Sequence, residues 1–179
     1  IPLEISKKKP IVHNSIKPSL FSIVEGYTGI LGYYNPFTSE AQYNQYLPDT
    51  YIPFTIAHES AHQLGFAREQ EANFIAYMLG KNSTDISLKY ATHYFTLRSL
   101  INAISYSDEA TAKTMLNSYS EAMKRDRNYE LAFREKHAGE VDAFFGFTND
   151  LFLKTNQQEG AITYSYFVEL LVQYENQNK

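Results

Sequence analysis

The 179 residues contain 16 Lys and Arg against 20 Asp and Glu, for a formal net charge of −4, and no cysteine or tryptophan. The length suits one domain with a real core, and the absence of a basic stripe excludes a nucleic-acid footprint. Zero cysteine excludes disulfides and thiolate metal sites, leaving His and carboxylate as the available metal ligands. No stretch reaches the length of a membrane span and no signal-peptide pattern is present.

In chain order, residues Ile1 to about Ser19 form an irregular lead-in with three prolines and the one basic run, Lys7-Lys8-Lys9, read as a solvated segment. Leu20–Glu25 and Thr28–Tyr34 are expected as short strands, broken by Gly26. Pro36 to Asp49 is expected as a polar, tyrosine-containing loop. A helix then starts near Tyr51–Pro53, where proline suits the first turn, and stops at Gly65. A second helix spans about Ala67–Leu79 with Gly80 as its stop. Asp85 caps a third, Ile86–Ser105, whose Tyr90, Ala91, Tyr94, Leu97, Ile101 and Ile104 follow the 3–4 spacing of a buried face. Ser107 is expected to cap a fourth, with Asp108 and Glu109 in its first turn. Tyr129–Lys136, Glu140–Lys154 and Ile162–Glu175 complete the helical set. The expected class is α+β, a single mainly helical domain over residues 1–179 with a small sheet ahead of the Tyr51–Gly65 helix.

His58-Glu59-Ser60-Ala61-His62 carries the chemistry. Four residues apart on a helix, the two imidazoles leave one face a turn apart, an arrangement suited to Zn²⁺. Glu59 lies close enough to take a proton from an activated water. Catalytic zinc usually has three protein ligands, and without Cys the third must be His, Asp or Glu. Glu69 in the first turn of the next helix is the favoured candidate, with Glu71 the alternative about 200° around that helix. Asn73, four residues after Glu69, projects from the same side, and its amide oxygen could orient a ligating histidine.

H-E-x-x-H followed by Glu69-Gln70-Glu71-Ala72-Asn73 resembles the gluzincin branch of zinc peptidases, in which the glutamate opening the second motif is the third ligand. Tyr34-Asn35-Pro36-Phe37-Thr38-Ser39-Glu40-Ala41 and Pro53-Phe54-Thr55-Ile56-Ala57-His58-Glu59 are similar to a bacterial family of unknown function classed with those peptidases. So are Asn149-Asp150-Leu151-Phe152-Leu153-Lys154 and Glu159-Gly160-Ala161-Ile162-Thr163-Tyr164, and the likeness thus covers most of the chain. It implies a zincin-like metalloprotease fold, one zinc per chain, peptide-bond hydrolysis of a peptide or protein substrate, and attachment to a bacterial membrane through a segment ahead of Ile1. The side of the membrane stays open. Two departures stand out. Only six residues separate His62 from Glu69, and the position of the third histidine in metzincins holds Arg68, which as a cation cannot ligate a metal.

The other candidates are weaker. His13, His93 and His137 are potential ligands or donors but read more simply as ordinary histidines. Tyr164 is nominated as a hydroxyl donor to a developing oxyanion, against core packing. Phe37, Tyr43 and Tyr46 are expected to pack rather than to wall a cleft. Strand Thr28–Tyr34 could offer an edge to an extended peptide, although core sheet is the simpler reading. The alternative function is an inactive zincin-shaped domain that binds or regulates within a membrane complex. Intact Glu59 speaks against it, because a binding module needs no base.

Overall fold

A computed structural model describes residues 16–137 and 163–177. The described chain is mostly helical with one three-stranded sheet, an α+β arrangement. Strand β1 (Lys17–Pro18) leads into helix α1 (Ser22–Thr28), followed by β2 (Gly32–Asn35) and β3 (Glu40–Tyr43). Helices α2 (Ile52–Gln63), α3 (Glu69–Gly80), α4 (Ile86–Ser105), α5 (Glu109–Asn117), α6 (Glu121–His137) and α7 (Thr163–Gln177) complete it. The sheet order is β1-β3-β2, with β1 parallel and β2 antiparallel to the central β3.

Four expectations are corrected. The expected strand Leu20–Glu25 is α1, because Ser22 and Glu25 find buried polar partners on one side of a helical turn. Ser22 Oγ donates to the Ser19 carbonyl at 2.7 Å, and Ser19 Oγ donates to Glu25 Oε1 at 2.5 Å. The expected loop Pro36–Asp49 contains β3, which pairs from Asn35↔Glu40 to Gly32↔Tyr43. The tight turn between them is held by Asn35 Oδ1, which accepts from the Phe37 and Thr38 amides, with Ser39 at φ 56°. The cap of α5 is Asp108, not Ser107, since its carboxylate accepts from the Thr111 amide at 2.9 Å. Helix α6 begins at Glu121, eight residues before the expected Tyr129. Its sparse apolar residues hide the helical period. The expected Glu140–Lys154 helix lies outside the described residues.

Helix α2 sits between the sheet and the other helices, touching β2 and β3 on one side and α3 and α4 on the other. Phe54 stacks on Phe95 of α4 with centroids 3.9 Å apart, beside buried Ala57, Ala76 and Ala91. Alanines at those positions let the three helices approach closely. Gly80 is tighter still: a Cβ there would come within 1.8 Å of Thr92 Oγ1. On the far side Phe74 and Tyr77 of α3 pack with Phe167 and Leu171 of α7. Asp85 caps α4 as expected, accepting from the Ser87 and Leu88 amides.

The start of α2 is fixed by a buried carboxylate. Glu130 of α6 accepts from Thr50 Oγ1 at 2.9 Å and from the Tyr51 hydroxyl at 3.4 Å, and lies 3.8 Å from Arg98 of α4. Burial raises its pKa despite the opposing pull of Arg98 and those hydroxyls. Folded Glu130 therefore keeps its proton to higher pH than unfolded Glu130. The stability this contributes is complete below the ordinary value of 4.5 and lost as pH rises through the raised one. Glu130→Gln should flatten that fall in urea titrations across the interval, while Glu130→Ala, which strands the Arg98 charge, should cost about 3 kcal/mol at neutral pH. An unchanged pH slope in the Gln variant, or a fully stable Ala variant, contradicts this role.

Candidate metal centre

The end of α2 builds the site. Its last turn closes in a Schellman arrangement: the Gly65 amide donates to the His62 carbonyl at 3.0 Å and the Phe66 amide to the Ala61 carbonyl at 3.2 Å. This requires a left-handed residue, and Gly65 supplies it at φ 98°. Phe66 then packs against Ala61, Ala72 and Ile75, which turns the chain back so that α3 begins at Glu69. Six intervening residues suffice because this cap reverses the chain within one turn.

Each histidine is held through its Nδ1. His62 Nδ1 lies 2.7 Å from the Phe66 carbonyl, an oxygen that can only accept, so Nδ1 carries the proton. His58 Nδ1 lies 2.9 Å from Asn73 Oδ1 and donates to it in the same tautomer. Both Nε2 atoms are thereby left as acceptors, and they converge at 3.1 Å. Two lone pairs facing each other at that distance repel unless a proton or a cation lies between them. Glu69 completes the group, its oxygens 3.1 Å from His58 Nε2 and 3.5 Å from His62 Nε2. Among the described residues, these three form the one group of donors close enough to share a metal ion.

The spacing tests the fit. Zinc bonds of about 2.0–2.1 Å in a tetrahedron put neighbouring ligand atoms roughly 3.3–3.4 Å apart. The two Nε2 atoms stand 3.1 Å apart, near that edge, and Glu69 offers one oxygen 3.1 Å from His58 and its other oxygen 3.5 Å from His62, so all three side chains are within reach of one ion. Electrostatics agree. Burial alone would raise the Glu69 pKa, but hydrogen bonds and charge from the two imidazoles in their protonated form outweigh it and hold the carboxyl well below the usual range. For His62 burial favours the neutral ring, yet Glu69, Glu59 and the Phe66 carbonyl together raise its proton affinity. The site is thus pre-formed to attract positive charge. Glu71 faces away and pairs with Arg68 at 3.9 Å, so of the two candidate glutamates only Glu69 joins the histidines.

Glu59 leaves α2 toward the sheet and is 4% exposed. Burial pushes its carboxyl up to about 7; the two histidines oppose the shift, and Glu69 and Glu25 add to it. Its Oε2 has no hydrogen-bond partner among the described residues. A cation at the three donors would lower that proton affinity. Gly32 of β2 lies directly on this carboxylate. A Cβ there would come within 2.9 Å of Glu59 Oε1 and 2.8 Å of the Gln42 carbonyl. Sequence reasoning assigned no role to Glu25, Gly32 or Phe66. Of these, only the glycine in a short strand carried a signal, since it marks a close approach.

The remaining candidates are not brought to the centre. His93 of α4 is exposed, with Nε2 3.2 Å from the Lys81 carbonyl. His137 closes α6, where it was expected between helices, and its Nδ1 lies 2.7 Å from the Phe133 carbonyl. Phe37 does not pack: it stands 97% exposed at the β2–β3 turn, and Tyr46 is also exposed. Tyr164 lies in the first turn of α7, and its side chain, like all of His13, lies outside the described residues.

The fold and site define a helical α+β domain with a His-His-Glu donor triangle beside a buried glutamate. The chain belongs to the family described as "Protein of unknown function (DUF3810)", whose model matches residues 4–172. No curated protein and no solved structure matches it.

Gly32→Ala should cost about 1–3 kcal/mol in urea denaturation, because the added methyl must displace either the Glu59 side chain or the β2–β3 pairing. Wild-type stability in that variant contradicts the close approach.

Proposed function

We propose that the chain is a zinc-dependent peptidase of the gluzincin type, with His58, His62 and Glu69 as metal ligands and Glu59 as general base. The observation that carries this is the convergence of three donors close enough to share one ion beside a buried carboxylate that has one oxygen uncommitted. The H-E-x-x-H and E-x-x-A-N strings support a zincin-like fold for the surroundings.

A zinc ion there supplies Lewis acidity and lowers the pKa of a coordinated water. Glu59 would accept a proton from the attacking water as the water's oxygen bonds to the scissile carbonyl carbon. It then delivers the proton to the leaving nitrogen as the C–N bond breaks, so the carboxylate is regenerated. Asn73 and the Phe66 carbonyl keep both rings in the tautomer that presents Nε2. The free edge of β2, which among the described residues pairs only with β3, is the natural place for an extended peptide to add.

A closed structural site fits less well, since it would ordinarily use four protein ligands. A binding module without chemistry has no use for a buried acid at Glu59, which costs folding energy to desolvate.

Glu59→Gln should retain stoichiometric zinc and lose peptide hydrolysis by at least 10²–10⁴-fold, roughly the share of proton transfer. Near-normal turnover in the purified variant removes Glu59 from the mechanism. Hydrolysis is read on a mixed peptide library with and without chelator. Asn73→Ala should weaken zinc about 10–100-fold, and Asn73→Asp should preserve or strengthen it because a carboxylate is the stronger acceptor. Equal zinc affinity in both variants and wild type leaves Asn73 without an orienting role.

A further inference from the structure

Helix α1 is built inside out. Its buried side carries Ser22 and Glu25, 1% and 6% exposed, and the turn before it buries Ser19. Outward stand Leu20 and Phe21 of that turn and Ile23, Val24 and Tyr27 of the helix, at 95%, 66%, 65%, 57% and 46% exposure. Ile23, Val24 and Tyr27 share one side of α1, and Leu20 and Phe21 extend the apolar face ahead of Ser22. Between Pro18 and Ser39 the chain has one acid or base, the buried Glu25, so the stripe holds no exposed charge. A contiguous apolar face of this kind marks a surface that is covered in use.

Beside the stripe, basic side chains outnumber acidic ones. A groove of about 450 Å³ separates α1 from α6, lined by Ile23 and Tyr27 on one wall and by Tyr129, Phe133, Lys136 and His137 on the other. Arg134, Lys136 and His137 outweigh Glu135 and give the last turn of α6 a basic character, although the whole chain is net acidic. Apolar side chains that project from a convex helix, with tyrosines at their margin and cations behind, suit a fluid apolar layer under an anionic headgroup plane.

We propose that the outward face of α1 docks on a bilayer containing anionic phospholipid, with the α6 end of the groove, at Lys136 and His137, against the headgroup phosphates. This is surface binding: no described helix is long and apolar enough to cross a membrane. It stands independently of the metal centre.

The absence of tryptophan makes the test clean. Phe21→Trp places a reporter on the stripe, and Tyr106→Trp places one at the exposed end of α4, where Tyr106 is 87% exposed. With phosphatidylcholine–phosphatidylserine vesicles, the Phe21→Trp emission should shift to the blue and be quenched by brominated acyl chains, while the Tyr106→Trp emission should not change. Ile23→Ser/Val24→Ser should lower partitioning at least about tenfold without changing the circular dichroism spectrum. Lys136→Gln should lower it about fivefold on anionic vesicles and leave binding to pure phosphatidylcholine unchanged. The proposal is overturned by no binding, by equal quenching of both reporters, or by an indifferent Ile23→Ser/Val24→Ser variant. It is also overturned if the Phe21→Trp emission is already blue-shifted without lipid and the protein sediments as a dimer, since the face then joins two copies.

Discussion

The left-handed turn at Gly65 is the constraint on which the candidate centre depends. It ends α2 one residue after His62 has taken its place. It presents the Phe66 carbonyl to that histidine's Nδ1, and it returns the chain so that Glu69 and Asn73 open α3 on the same side. The candidate ligands, the groups that hold their rings and the chain reversal thus arise from a single backbone conformation. A residue with a Cβ at Gly65 would meet no neighbour within 4 Å, so its cost would come from the positive φ alone.

The centre also concentrates negative potential at some expense in stability. Glu59, Glu69 and Glu25 act on one another through a buried region in which two histidines are the opposing groups. Such an arrangement is costly without positive charge at its focus, and a dication bound there would convert that cost into affinity. The sheet contributes by leaving room: Gly32 places strand backbone, not a side chain, over the Glu59 carboxylate. The Glu130 cluster and the alanine-lined contacts with α3 and α4 hold the first half of α2, and Ala61 packed on Ala72 and Ile75 holds its end, which keeps the donor triangle from spreading.

How much of this was legible in the sequence follows from where the information lies. The two histidines, Glu59, Glu69 and Asn73 were readable because helical periodicity converts spacing into direction. Gly65 was readable as a stop because few residues tolerate positive φ. The third helix followed from Asp85 and its apolar spacing. By contrast α1 looked like a strand, since its apolar residues face outward and its polar ones inward, which reverses the pattern from which helices are recognised. Strand β3 was hidden because Glu40 and Gln42 are polar and its register is set by Asn35 and the turn. The first half of α6 was hidden by its many charged residues. The contribution of Glu25 to the Glu59 environment depends on tertiary packing across 34 positions of sequence, and no local pattern encodes it.

The central claim is that one metal ion sits between His58, His62 and Glu69. Crystals of the chain equilibrated with zinc, with diffraction recorded on both sides of the zinc absorption edge, test it most directly. The account predicts one anomalous peak per chain, about 2.0–2.1 Å from both Nε2 atoms and from a Glu69 oxygen, with at least one coordination position not filled by protein. No peak at that point, a peak held by other residues, or a site closed by a fourth protein ligand would contradict it.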